Sequence, residues 1–155
     1  MAANRPGGNY EHLLLYADGS IQPERAGAGM VALDQWGSVV YIANRSLPPM
    51  TNNEAEYAGL TLALEAAIAL GGQFVEIRLD SEVVVYQMIG RFAVNSAALK
   101  HWHQQACALA RSLAKVRYTH IPREYNGIAD ALATEASAGR KWRMGGMEHV
   151  LDRQL

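Results

Sequence analysis

Short apolar runs and longer helical stripes follow one another along this chain, and their order predicts a mixed sheet. His12 to Ala17 (HLLLYA) is apolar enough for a buried strand and is expected to end at Asp18-Gly19. Ser20 to Ala26 is rich in turn residues. Gly29 to Leu33 and Val39 to Ala43 read as two further strands, joined at hairpin length by Asp34-Gln35-Trp36-Gly37. Pro48-Pro49 stops the third strand, and Thr51-Asn52-Asn53 offers helix caps. From Glu54 the period changes, with Tyr57, Leu60, Leu64, Ala67 and Ile68 on one helical stripe that Gly71-Gly72 terminates. FVEIRL, residues 74–79, alternates apolar and polar as a half-buried strand does. Ser81 to Ile89 reads as a short helix. Leu99, Trp102, Ala106, Leu109 and Leu113 form the apolar stripe of a longer one across residues 97–114. Val116 to Ile121 is a fifth strand, and Asn126 to Ala138 a last helix ended by Gly139.

The order β-β-β-α-β-α-α-β-α predicts an α/β fold. Its five-stranded mixed sheet has three antiparallel strands, then two parallel crossovers, with helices flanking it. A right-handed crossover from the first strand through the first long helix sets the fourth strand beside the first. Asp18 and Asp80 are then expected side by side at the carboxyl ends of adjacent parallel strands, the edge where open α/β sheets bind ligands. Residues 1–10 are expected to be a loose polar leader, 11–139 the folded domain and 140–155 a tail, either a docked helix or a frayed end.

Composition narrows the picture. Half of the 155 residues are hydrophobic, enough for a substantial core. The net charge of -1 gives no global basic field and leaves only a local basic face for any polyanion. The single cysteine, Cys107, excludes an internal disulfide and a thiolate-rich zinc site, and its alanine neighbours suggest a buried, inert thiol. No apolar run approaches the roughly 18 residues of a membrane span, and the first ten residues lack the apolar stretch of a secretory signal. A cytoplasmic monomer without membrane contact is the expectation.

Four carboxylates stand in distinctive phrases: Asp18 in LLLYADGS, Glu56 in TNNEAEY, Asp80 in IRLDSE and Asp130 in YNGIADALA. Singly, each has an ordinary structural use. Asp18 could be a turn residue and Asp80-Ser81 a helix cap, while Glu56 and Asp130 suit a helix N-terminus. Together at one sheet edge they would repel unless cations neutralised them. Magnesium favours oxygen ligands and keeps several waters, so a shared carboxylate cluster suits it. Two such ions ~3.5–4 Å apart support in-line displacement at phosphorus.

These four phrases, in this order and on these elements, resemble the type 1 ribonuclease H family across roughly residues 12–138. The resemblance implies hydrolysis of the RNA strand of RNA–DNA hybrids with two magnesium ions, for which manganese would substitute. By the same resemblance Asp18, Glu56, Asp80 and Asp130 hold the metals, and Asp18 bridges both. Many bacterial members carry a long loop with a histidine before the last aspartate. Here it is compressed to HIPREYNG, which looks more like archaeal-type members with an arginine in that role. Arg123 is therefore the favoured auxiliary catalytic residue and Glu124 the second, while His120 falls inside the fifth strand. The basic handle of many bacterial relatives is missing, since residues 90–96 (GRFAVNS) carry only Arg91, so substrate affinity is expected to be modest.

Asn52 and Asn53 match family positions that contact bases or sugar in the minor groove, and Gly19, Ser20 and Thr51 complete the expected substrate-binding set. Hybrid recognition would use 2′-hydroxyl contacts. The polar helix face with Lys100, His101, His103, Gln104 and Arg111 reads equally well as a solvated surface. A broader nuclease that also cuts double-stranded RNA, and a non-catalytic hybrid-binding module, are the competing readings. Binding alone does not need all four carboxylates, which weighs against the second. A phosphatase with Asp18 as nucleophile would want a second aspartate two residues on, where Ser20 stands.

Overall fold

A computed structural model of the chain describes residues 10–142. Strands β1 (His12–Ile21), β2 (Ala26–Asp34) and β3 (Val39–Leu47) precede helix α1 (Asn52–Ala69). Strand β4 (Phe74–Leu79), helices α2 (Glu82–Met88) and α3 (Ala97–Ala110), strand β5 (Lys115–His120) and helix α4 (Gly127–Ser137) follow. The sheet order is β3-β2-β1-β4-β5, with β1, β2 and β3 antiparallel and β4 and β5 parallel to β1 and to each other. The expected five-stranded mixed sheet and element order are present. The proposed leader, apart from Tyr10, and the tail beyond Trp142 lie outside the described residues. Tyr10 is buried, and its carbonyl accepts a hydrogen bond from Gln73. Trp142 pairs with Asn44 of β3, its N–H donating to Asn44 Oδ1 at 2.7 Å.

One boundary differs in a way that matters. β1 does not stop at Asp18 but runs on to Ile21, because its antiparallel ladder with β2 continues to Ile21 opposite Ala26. A tight turn closes it, with Gln22 N–H donating to Arg25 O. The residues after Asp18 that resemble a turn are strand residues of this hairpin. The parallel ladder between β1 and β4 ends earlier, at Tyr16 opposite Arg78. Asp18 therefore lies inside a strand but two residues beyond the parallel pairing, and Asp80 is two residues beyond Arg78. The two aspartates stay in step, as the crossover topology requires.

α1 is buried nearly all round, including Ala58, Thr61, Leu62, Ala63 and Glu65 off the expected stripe. It sits between the sheet and α3, so a one-sided pattern understates its burial. On α3 the stripe packs as expected through Leu99 and Ala106, with Trp102 and Leu109 half-buried. Cys107 is half-buried beside His103 rather than fully buried. α4 covers the opposite side of the sheet. It lies almost on the backbone of β2, where a Cβ at Gly29 would stand 2.5 Å from Ala129 O. Among the described residues, no helix is long and apolar enough to cross a membrane.

Candidate active site

Two close backbone approaches assemble the site. A Cβ at Gly19 would stand 2.2 Å from Ala55 O and 2.6 Å from Glu56 N, and one at Gly59 would stand 2.4 Å from Asp18 O. Only glycines allow the first two turns of α1 to press on β1 at Asp18. Thr51 starts α1 with a capping box, its hydroxyl accepting from Glu54 N–H at 3.3 Å. Glu56 follows in the first turns of the helix and is delivered to Asp18. Ser81 caps α2 immediately after Asp80 and fixes the exit of β4, its Oγ accepting from Val84 N–H at 3.2 Å.

Oxygens of Asp18, Glu56 and Asp80 all lie within 4.8 Å of one another. Asp18 and Glu56 are buried and Asp80 half-buried. These three, with Asp130, Gly19, Asn52 and Arg123, line a polar cleft of about 250 Å³. Burial pushes the Asp18 carboxyl well above the ordinary carboxylate range, and the Asp80 charge pushes it further. A hydrogen bond with Glu56 and the Gly19 N–H, 2.9 Å from Oδ1, pull the other way. Burial raises Glu56 too, and the Asp18 charge adds to it. Glu56 Oε2 is fully buried without a hydrogen-bond partner.

Crowded, desolvated carboxyl oxygens, one of them orphaned, form a donor set that a hard divalent cation would complete. Asp18, Glu56 and Asp80 fit such an ion directly. Asp130, half-buried near the start of α4, interacts with Asp18 across the same cleft.

The remaining expected residues divide. Arg123, exposed in a 3-10 turn (Arg123–Tyr125), borders the cleft, whereas Glu124 lines a neighbouring concavity with Tyr16, Val31 and Tyr125. His120 is exposed at the end of β5 and is absent from the cleft lining. Gly19 and Asn52 border the cleft, and Thr51 and Asn53 flank Asn52. Ser20 Oγ lies 3.2 Å from Ser137 Oγ, towards α4.

Asn126 is a site residue that sequence reasoning took for the start of a helix. It occupies the cap position of α4, but its side chain makes no cap. Instead the buried Nδ2 donates to Ala17 O at 2.9 Å and to Asp80 Oδ2 at 3.1 Å, joining β1, β4 and α4. Its carbonyl accepts from Asp130 N–H at 3.0 Å. An asparagine before a glycine at a helix start reads as a cap or turn, so the phrase carries no sign of this role. Gly59 was missed for a similar reason, since an isolated glycine inside an apolar helix has several explanations.

A family model described as reverse transcriptase-like matches residues 16–136. A ribonuclease HI of Halobacterium salinarum is 37% identical over 123 residues, which span 78% of this chain and 62% of that relative. The chain spans 35% to 62% of the length of the curated relatives it matches. The crystal structure of RNase H1 from Halobacterium salinarum superposes with a TM-score of 0.80 at 34% identity, covering 83% of this chain and 98% of that one. LC11-RNase H1, solved in complex with an RNA/DNA hybrid, has a TM-score of 0.77 at 32% identity, over 82% of this chain and 97% of its own.

Proposed function

The chain belongs to the type 1 ribonuclease H family, and from that premise we propose that it is an endonuclease hydrolysing the RNA strand of RNA–DNA hybrids, with two divalent cations held by Asp18, Glu56, Asp80 and Asp130. The observation that carries this reading is the convergence of three carboxylates within 4.8 Å around an unpartnered buried oxygen. The bound hybrid of the LC11 enzyme supports the substrate class. Magnesium is the proposed ion, with manganese as a substitute.

When bound, the ions supply water activation and neutralise charge at the leaving oxygen. The chain's own residues do the rest. Asp18, with oxygens of Glu56 and Asp80 both within 4.8 Å, would hold a cation together with them. Asn126 holds Asp80 in place through its 3.1 Å bond. Arg123, at the rim of the cleft, is the auxiliary catalytic residue and stabilises phosphate charge; Glu124, the second candidate, lines the neighbouring concavity. Asn52 and Asn53 face minor-groove edges and 2′-hydroxyls, while Gly19, Ser20 and Thr51 contact the backbone. A chain of net charge -1 without a basic handle grips phosphates weakly, so affinity falls with salt on a shallow slope. The protein acts as a cytoplasmic monomer.

The test uses labelled RNA–DNA hybrid, double-stranded RNA and double-stranded DNA, each with magnesium, manganese or chelator. Metal-dependent internal cuts in the RNA of the hybrid, with DNA intact, are expected. Double-stranded RNA is the substrate of the broader-nuclease alternative and should be slower. Cleavage of the DNA strand, or no metal-dependent cleavage of RNA, overturns the reading and leaves the hybrid-binding module.

A further inference from the structure

The turn that carries Asn52 and Asn53 is held from outside the cleft by a contact that the chemistry above does not use. Glu54 is the third residue of α1, and both of its carboxylate oxygens are engaged. Oε1 accepts from Thr51 N–H at 3.3 Å and from the Thr51 hydroxyl at 3.1 Å. Oε2 accepts from Trp102 Nε1 on α3 at 3.1 Å. The rest of the half-buried Trp102 side chain packs against the core. Directly after Glu54, the α1 backbone at Ala55 and Glu56 is pressed against Gly19. The start of α1 is thus held at two points, by Gly19 at Ala55–Glu56 and by the Trp102 indole at Glu54. Among the described residues, the Asn52 and Asn53 side chains make no hydrogen bonds, so their amides remain free for a ligand.

We propose that Trp102 is a positioning residue for substrate: its indole N–H, acting through Glu54, fixes the Thr51–Asn53 turn at the mouth of the carboxylate cleft and thereby sets affinity for the nucleic acid. This rests on the reading that the turn meets the hybrid. A capping box alone closes the helix end but leaves the angle of the turn free to vary. A charge-assisted bond from a side chain anchored in the core fixes it. The contact also makes α3 part of the substrate apparatus. α3 begins directly after residues 90–96, the short segment that stands where many relatives carry a basic handle. A chain with few phosphate contacts depends more on a preorganised turn, because ordering it on binding would cost affinity.

The test compares Trp102→Phe, which keeps an aromatic ring and loses the N–H, with Glu54→Gln and Glu54→Ala. For Trp102→Phe, KM for the hybrid should rise about three- to ten-fold, the range for a lost hydrogen bond. Turnover and melting temperature should stay near wild type, the signature of lost uniform binding. Glu54→Gln keeps only one acceptor oxygen and sets an amide donor against either Thr51 N–H or Trp102 Nε1–H, so it should raise KM part of the way towards Glu54→Ala. Glu54→Ala should raise KM at least as much as Trp102→Phe, and the double variant Glu54→Ala/Trp102→Phe no more than Glu54→Ala, because both act through one contact.

Amide hydrogen exchange supplies a readout that needs no activity. Trp102→Phe should speed exchange at residues 51–56 without speeding it in the core of the sheet. Unchanged KM, unchanged exchange at the turn, additive effects in the double variant, or a loss of turnover that follows melting temperature would each overturn the proposal. A wild-type protein that cuts no hybrid would instead defeat the functional reading, and the exchange experiment would still judge the contact.

Discussion

Asn126 Nδ2 donates to Asp80 Oδ2 at 3.1 Å from a buried position that also reaches Ala17 O. One amide therefore ties a candidate metal ligand to the backbone of the strand that bears Asp18. Asn126→Ala removes both bonds and leaves the Ala17 carbonyl without that donor. Stability should fall by about 1–3 kcal/mol, the cost of an unsatisfied buried group. Cleavage should fall about 10- to 100-fold, as for other residues that orient metal ligands. Asn126→Asp would add a carboxylate beside Asp80 and should depend more steeply on magnesium than the alanine variant. Thermal melts and magnesium titrations of cleavage check both. Wild-type magnesium dependence in both variants would show that Asp80 needs no such support.

Asp18→Asn should raise the melting temperature of the metal-free protein while abolishing cleavage. The wild-type carboxyl is buried beside Asp80 and Glu56, and its charge is unfavourable without an ion. Magnesium should stabilise the wild type but far less the variant, because a ligand that binds only the folded state adds stability by mass action. Equal magnesium-induced shifts in the two proteins would contradict a metal site at Asp18.

The same crowding fixes the sign of a pH effect. Asp18 and Glu56 both titrate above their ordinary values of 3.8 and 4.5 in the folded protein. Between the ordinary and raised values the folded state binds more protons than the unfolded state. Metal-free stability contributed by this pair is therefore highest below the ordinary values and is lost as pH rises towards the raised ones. Melting temperature in chelator should decline from mildly acidic to alkaline pH, less steeply for Asp18→Asn, and saturating magnesium should flatten the wild-type curve. Parallel curves for the two metal-free proteins would show that the pair is not strained by charge.

The fold was legible because each apolar run had the period of its element, although β2 and β3, read as 29–33 and 39–43, are each nine residues long. The expected edges of α2 and α4 fall within a residue of the observed ones. β1 was read short because Asp18-Gly19-Ser20 looks like a turn, and only its partner β2 shows that the ladder continues to Ile21. Three of the four carboxylates read from sequence form the cluster, and Asp130 shares its cleft. Asn126, Gly59 and the bond from Trp102 to Glu54 were not legible. Each depends on the distance between elements, and no pattern within one element encodes that distance.

The compressed loop separates two candidates for the auxiliary role. Arg123 is exposed at the rim of the cleft, on a 3-10 turn three residues before Asn126. A guanidinium there can reach a phosphate bound over the carboxylates and stabilise charge as it develops. His120, three residues earlier, is exposed at the end of β5 with its ring 6.2 Å from that of Tyr86. Arg123→Ala should lower turnover about 10- to 1,000-fold, the upper end being that for a lost charge-stabilising donor, at an unchanged melting temperature. Arg123→Lys should recover part of it, since an ammonium keeps the charge but not the planar fork. His120→Ala should leave turnover within about two-fold, as expected for an exposed site away from the reacting groups. Steady-state kinetics on one hybrid, with melts of each variant, decide between them. Loss of turnover in the histidine variant alone, with its melting temperature intact, would reverse the assignment and place the base or acid on β5.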